Sequence, residues 1–353
     1  MTLGPIALLG SGETSLAGGR IFESLASQLD GPLRIAILET PAGFELNTRQ
    51  VAGRVAGYLK TRLGNYKPQI DIIAARKKGS DYSPDDPQIL APLLRANLIF
   101  MGPGSPTYAI RQLQDSLAWE LIRARQRLGA ALAFASAATI AVGAWSIPVY
   151  EIYKVGQDVQ AVPGLDLFRS FGLPLSCVPH WNNTDGGNDV DTSRCFLGMD
   201  RFREWCSQLP PENTTLGLDE HTGLIFDFQK QECSVSGVSS VSLLRACNPK
   251  IYPSGATFSF EELGLGAAPR ADIRPQAWAM ANDPALLAEA LAEALAEAPA
   301  EQTPSPQLIA LAEEREAARQ AKDWLRADDL RQQIQAAGWL VTDTPQGPRL
   351  SMQ

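Results

Sequence analysis

Strand-length apolar runs alternate with helical patterns through the first half of the chain, and no other feature limits its folding options as tightly. The runs are Ile6 to Leu9, Arg34 to Leu38, Ile70 to Ala74, Leu98 to Met101, Ala130 to Ala135 and Leu175 to Pro179. Strand, helix and strand in repetition predict an α/β fold, a mostly parallel sheet with flanking helices. Three runs lead into loops suited to a site: Gly10-Ser11-Gly12-Glu13, Glu39-Thr40-Pro41-Ala42-Gly43 and Gly102-Pro103-Gly104-Ser105-Pro106. Ligands of open α/β sheets gather beyond the carboxyl ends of strands, so these loops are expected to rim one crevice. Neither Gly10-Ser11-Gly12 nor Gly102-Pro103-Gly104 continues into a dinucleotide fingerprint or a phosphate-binding loop, which argues against a nucleotide cofactor.

An uncharged run from Gly129 to Tyr150 contains the fifth of these strands. About 20 apolar residues would also suit a membrane span. Gly129, Ser136, Thr139, Gly143, Ser146 and Pro148 interrupt this one, so a buried strand followed by a core helix is the better reading and no membrane partner is expected. Ser136 then falls at the turn between strand and helix, where α/β hydrolases expose a nucleophilic hydroxyl.

Beyond about residue 213 the sequence turns β-rich, with Leu216 to Glu220, Leu224 to Phe228, and Val235 to Leu244 broken by Gly237. These short segments predict an antiparallel extension of the main sheet, closing a first domain at residue 263. Residues 264–303 read as a linker holding one Ala/Glu-rich helix, which starts at Asp283-Pro284 and carries Leu287, Leu291 and Leu295. Residues 304–353 form a small helical C-terminal module.

The chain has 353 residues and a net charge of -8, a balance that repels a phosphate backbone overall. Five cysteines (Cys177, Cys195, Cys206, Cys233, Cys247) form no C-x-x-C pair, which argues against a disulfide framework or a structural zinc site. The N-terminus lacks a basic leader and runs straight into strand-like sequence, so a cytoplasmic location is expected. Asp185, Asp189 and Asp191 share one loop, but their spacing misses the EF-hand pattern and no metal is expected there.

Two histidines narrow the search for a general base. His180 follows a strand in Val178-Pro179-His180-Trp181-Asn182-Asn183, whereas His221 adjoins Asp219 and Glu220. A serine hydroxyl near neutral pH needs a base to take its proton, and that base needs an orienting carboxylate. Ser136, His180 and Glu220 offer these three groups in chain order; a strand-end histidine simply bonded to a neighbouring loop is the plain alternative.

The loop Phe100 to Tyr108, the Ser136 turn, Pro179-His180, and Gly217-Leu218-Asp219-Glu220-His221-Thr222-Gly223-Leu224 together resemble the S51 peptidase family, which includes peptidase E and cyanophycinase. The resemblance covers about residues 3–263 and implies the class I glutamine amidotransferase-like fold. It implies Ser136 as nucleophile, His180 as base and Glu220 as acid, with Asp219 second. Backbone N–H groups of Gly104 and Ala137 would form the oxyanion hole. Ser105, Asp185 and Asp219 are the candidate substrate contacts, and the acidic loop around Asp185 would suit a substrate ammonium. The chain departs from the family's G-x-S-A-G-A elbow in reading Phe134-Ala135-Ser136-Ala137-Ala138-Thr139, and a Phe at the first glycine position is expected to crowd the turn.

The tail carries a second resemblance. Leu308 to Arg315, Ala321 to Arg331 and Gly338 to Gly347 are similar to the end of cysteinyl-tRNA synthetase, whereas nothing of that enzyme's catalytic part is visible. Between Pro304 and Gln353 six basic residues face seven acidic ones, a weak footprint for RNA, although Arg315, Arg319, Lys322 and Arg326 recur at helical steps. The expected function is hydrolysis of a short peptide or amide through an acyl-enzyme on Ser136, a chemistry that needs no cofactor. A binding or scaffold protein without catalysis, or an RNA-associated protein acting through its tail, are the alternatives, and a homodimer is left open.

Overall fold

The computed structural model describes residues 3–245, 248–264, 273–283, 285–286, 289, 304–321, 323–344 and 347–352. Leu287, Leu291 and Leu295 of the expected linker helix lie outside these residues, as do Cys247 and Lys322. The chain divides into two compact units, Met1–Ala292 and Glu293–Gln353.

Among its described residues the first unit has fourteen strands: β1 (Ile6–Leu9), β2 (Arg34–Leu38), β3 (Gln69–Ile73), β4 (Leu98–Met101), β5 (Ala131–Ala135), β6 (Trp145–Ser146), β7 (Val162–Pro163), β8 (Leu175–Val178), β9 (Thr214–Leu218), β10 (Thr222–Asp227), β11 (Glu232–Gly237), β12 (Ser240–Arg245), β13 (Asn248–Pro253) and β14 (Thr257–Ser259). Eight of them form one sheet in the order β14-β11-β10-β1-β5-β4-β2-β3. The five neighbours from β1 to β3 run parallel, and β10, β11 and β14 extend them by antiparallel pairing.

Every residue of β1, β4 and β5 is buried, because helices or a second sheet cover both faces of the main sheet. Alternation assigns the faces: Ile6, Leu8, Leu132 and Phe134 enter one core cluster, and Ala7, Leu9, Ala131, Ala133 and Ala135 enter the other. The second face is covered by α1 (Leu16–Ala26) and α2 (Thr48–Arg62), through Ile21, Phe22 and Leu25 and through Ala52, Val55 and Leu59. The first is covered by α3 (Pro87–Arg95), α4 (Pro106–Leu113) and α5 (Leu117–Arg127). Three short helices follow: α6 (Ala137–Ala141), α7 (Val149–Tyr153) and α8 (Gly198–Ser207).

Two expectations need correction. The run at Leu175 does not join the parallel sheet, since β5 and β10 already occupy both sides of β1. It pairs with β9 in a separate four-stranded sheet, β13-β12-β9-β8. Only part of the β-rich segment therefore extends the main sheet. The chain changes sheet at Gly237, whose φ of +145° and close approach to the His221 carbonyl leave no room for a side chain.

The first unit also continues beyond Leu263. Helix α9 (Pro275–Asn282) joins the core through Ala277 and Ala281, each 1% exposed, and the Arg274 amide donates to the buried Glu120 carboxylate at 2.9 Å. Among the described residues no helix is long and apolar enough to cross a membrane.

The second unit consists of helices Pro306–Gln320 and Trp324–Ala336 followed by a hairpin of β15 (Trp339–Thr344) and β16 (Gly347–Met352). Ala312, Ile334 and Trp339 form its core. The hairpin adds β structure to a module expected to be helical.

Candidate active site

Parallel pairing brings the ends of β1, β5 and β4 side by side, with Leu9 beside Ala135 and Met101 beside Phe134. The chain leaves β5 through Ser136 at φ 52° and ψ -115°, then enters α6 at once. An L-residue occupies such a conformation only when its surroundings hold it. Here the Ser136 amide donates to Leu9 O at 3.3 Å, and the Thr139 hydroxyl lies 2.9 Å from both Leu9 O and Phe134 O, tying strand to helix across the turn. Phe134 does not crowd the elbow as expected: its ring is fully buried in the sheet's first core cluster with Leu8 and Met101. The second missing glycine is Ala138, also fully buried, whose amide donates to Gly102 O at 3.3 Å.

Ser136 Oγ lies 2.9 Å from His180 Nε2, and His180 Nδ1 lies 2.9 Å from Glu220 Oε1. An ionised carboxylate only accepts, so Nδ1 carries the proton of the neutral ring and Nε2 is left to accept from the serine hydroxyl. Three elements hold the histidine. Its amide donates to Gly10 O at 3.3 Å, the Trp181 amide donates to Leu218 O at 3.0 Å, and its carbonyl accepts from Cys195 N at 3.2 Å. His180 follows β8 and Glu220 follows β9, adjacent parallel strands of the second sheet, while Ser136 stands on the first. Gly10 lies at the seam between the sheets, where a Cβ would come within 2.2 Å of Asp219 O.

Burial pushes the Glu220 carboxyl up, but hydrogen bonds from Asn183 and His180, helped by the charges of His180 and His221, hold it below the usual range. Asn183 Nδ2 donates to Oε1 at 3.0 Å, and Asn182 Oδ1 accepts from the Glu220 amide at 2.8 Å. Neither asparagine is among the residues expected at the site. Their position directly after His180 was the available signal, since adjacent amide side chains on a turn commonly bond nearby backbone.

Asp219 is not brought to His180. It is 5% exposed, and its Oδ2 accepts from Ser239 Oγ at 2.7 Å and from Ser240 Oγ and N at 2.7 and 3.1 Å. Those bonds fix the start of β12. Ser105 is also engaged elsewhere: largely buried, it caps α4 by accepting from Tyr108 N at 3.2 Å. Asp185 is exposed on the loop after Asn183, whose Oδ1 accepts its amide at 3.1 Å. Asp191 caps a turn and α8, accepting from Ser193 N and Met199 N at 3.0 and 2.8 Å. Among the described residues no group of three or more His, Cys, Asp or Glu is placed to hold a metal ion.

Gly104 has φ +145°, and a Cβ there would lie 2.0 Å from Pro41 O, so only glycine fits. It precedes the cap of α4, and Ala137 opens α6. An amide at the first position of a helix has no intrahelical carbonyl to bond. Three consecutive residues, Arg194, Cys195 and Phe196, are left-handed, with φ of 57°, 59° and 64°. This turn seats the Arg194 guanidinium 4.1 Å over the Trp181 ring and brings the Phe196 ring 6.0 Å from that of His180. Burial, with the Glu220 charge adding to it, pushes the Cys195 thiol up to about 12, so it stays protonated beside the histidine.

A family described as the cysteinyl-tRNA ligase anticodon binding domain matches residues 305–347. Curated relatives match over stretches of similar length. The cysteine–tRNA ligase of Methanosarcina mazei is 43% identical over 44 residues, and cysteine–tRNA ligase 1 of Burkholderia lata is 54% identical over 41. Each match covers 12% of this chain and 9% of the ligase. Among solved structures, a peptidase from an acI-B1 Actinobacterium aligns with a TM-score of 0.58 and 20% identity, covering 73% of this chain and 98% of that one. The chain thus has the mixed α/β fold of a peptidase structure, and its residues 305–347 are similar to the anticodon binding domain of cysteinyl-tRNA ligases.

Proposed function

We propose that the chain is a serine hydrolase of the peptidase or amidase kind, related to the S51 family, which cleaves a short peptide or amide through an acyl-enzyme on Ser136. The observation that carries this reading is the continuous hydrogen-bonded chain from Ser136 Oγ through His180 to Glu220, which starts at a strained strand-to-helix turn.

In the first half-reaction Ser136 Oγ attacks the carbonyl carbon while His180 Nε2 takes the hydroxyl proton. Glu220 stabilises the imidazolium without accepting that proton. The carbonyl electron pair moves onto oxygen, and the Gly104 and Ala137 amides receive the oxyanion. When the pair returns, the C–N bond breaks and His180 Nε2 protonates the departing amine. Water then repeats the sequence against the ester and restores the serine. Asp185 is the candidate contact for a substrate ammonium. Asp219 and Ser105 shape the loops that carry Glu220 and Gly104 and are not assigned contacts of their own.

The test is reaction with a fluorophosphonate, located by mass spectrometry, in wild type and His180→Ala. An adduct on Ser136 that His180→Ala loses or slows by about 10²-fold or more is expected. Folded wild-type protein that takes no adduct removes the hydrolase reading, leaving a binding protein without the chemistry.

A further inference from the structure

We propose that Glu151 is a positioning residue for the oxyanion loop, acting through Thr107 and Ser105; the inference rests on the hydrolase reading above. Glu151 lies on α7, a helix of five residues that the triad does not use. Its Oε1 accepts from the Thr107 hydroxyl at 2.6 Å, and Thr107 Oγ1 lies 3.0 Å from Ser105 Oγ. Each hydroxyl has one proton, so the bonds have one direction. Thr107 commits its proton to the carboxylate and can only accept from Ser105. Ser105 therefore donates to Thr107, and its oxygen accepts the Tyr108 amide. The result is a relay of fixed direction from the cap of α4 to the Glu151 side chain, which needs an acceptor at its end.

Ser105 follows Gly104 directly. Its amide is tied to Pro41 O at 2.9 Å on one side, and its hydroxyl is tied through Thr107 to α7 on the other. With both ends held, the Gly104 amide has little freedom to swing. The remaining Glu151 oxygen, Oε2, is buried and accepts no hydrogen bond from a described residue, so Oε1 carries the side chain's bonding.

The same helix reaches the base. The Tyr153 ring lies 5.5 Å from Phe196, whose ring in turn lies 6.0 Å from His180. Helix α7 is thereby a strut between the loop that receives the oxyanion and the loop that holds the base.

The experiment measures fluorophosphonate labelling of Ser136 across probe concentrations in wild type, Thr107→Val, Glu151→Ala and Glu151→Gln, separating the saturating rate from the half-saturation concentration. Loss of one oxyanion donor costs about 10²–10³ in rate and a misplacement of about 1 Å costs about 10². Thr107→Val, which keeps its shape, is expected to lower the saturating rate about 10- to 100-fold and to move half-saturation less than about threefold. Glu151→Ala should match it. Glu151→Gln, whose amide oxygen still accepts from Thr107, should recover to within about threefold of wild type. Wild-type labelling with Thr107→Val at the wild-type rate overturns the inference alone, as does a Glu151→Gln as slow as Thr107→Val. Wild-type protein that takes no label overturns the hydrolase reading and this inference with it. Should Glu151→Ala fail to fold, the Thr107→Val and Glu151→Gln pair decides.

Discussion

Ser136→Gly should give a more stable protein than Ser136→Ala, and the size of the gap can be worked from the turn itself. Both variants lose the hydroxyl and its bond to His180, so that contribution cancels in the comparison. What differs is the backbone: at φ 52° and ψ -115° an L-residue bears strain that glycine does not. Such conformations cost about 1–3 kcal/mol. Glycine gives back about 0.4–1 kcal/mol by enlarging the freedom of the unfolded chain. The net expectation is a Ser136→Gly protein more stable by roughly 0.5–2 kcal/mol. Urea unfolding followed by circular dichroism would read this as a later midpoint at unchanged slope. A Ser136→Ala protein equal to or more stable than Ser136→Gly would refute the argument, because it would mean that Leu9, Thr139 and the neighbouring strands do not hold the elbow against its preference.

Glu220 has a depressed pKa, so its stabilising bonds are complete above its ordinary value of about 4.3 and are lost as pH falls through the lower folded value. Glu220→Gln should therefore flatten the acid arm of stability against pH, and at neutral pH it should slow labelling of Ser136 by about 10²–10⁴-fold; an unchanged acid arm would show that the carboxylate is not held as described. For the tail, the full chain is expected to give no salt-sensitive gel shift with tRNA. Arg315 is 5% exposed, while Arg326 and Arg331 pair with Glu314 and Asp328 at 2.7 and 3.3 Å. A shift at low salt that fades as salt rises would overturn this and make the C-terminal unit an RNA-binding module.

The main sheet was legible because its strands are buried on both faces, and double burial writes continuous apolar runs that need no partner to be recognised. The same property hid the second sheet. β8 is as fully buried as β4, and nothing in Leu175 to Val178 states which neighbour it pairs with. Pairing is decided by what remains free beside β1, a fact of the assembled fold. The choice between Asp219 and Glu220 had a local signal in the strand they follow, since successive residues of an extended segment point to opposite sides. Asp219 turns to Ser239 and Ser240, and Glu220 turns to His180. The missing elbow glycines misled for a related reason. The size of Phe134 suggests crowding, but in a pleated strand the direction of the side chain decides, and its ring points into the core. The left-handed turn at Arg194 to Phe196 contains no glycine and announces itself nowhere in the sequence.

Ser136 stands on one sheet while His180 and Glu220 arrive from the other, so on the proposed hydrolase reading neither half is reactive by itself. Gly10 is the point of closure, with its carbonyl bonded to the His180 amide and Asp219 packed where a side chain would have been. During synthesis the Ser136 hydroxyl emerges long before β8 and β9 exist to activate it. On that reading a partly assembled protein holds an ordinary alcohol at Ser136, and the proposed nucleophile is armed only when the two sheets meet.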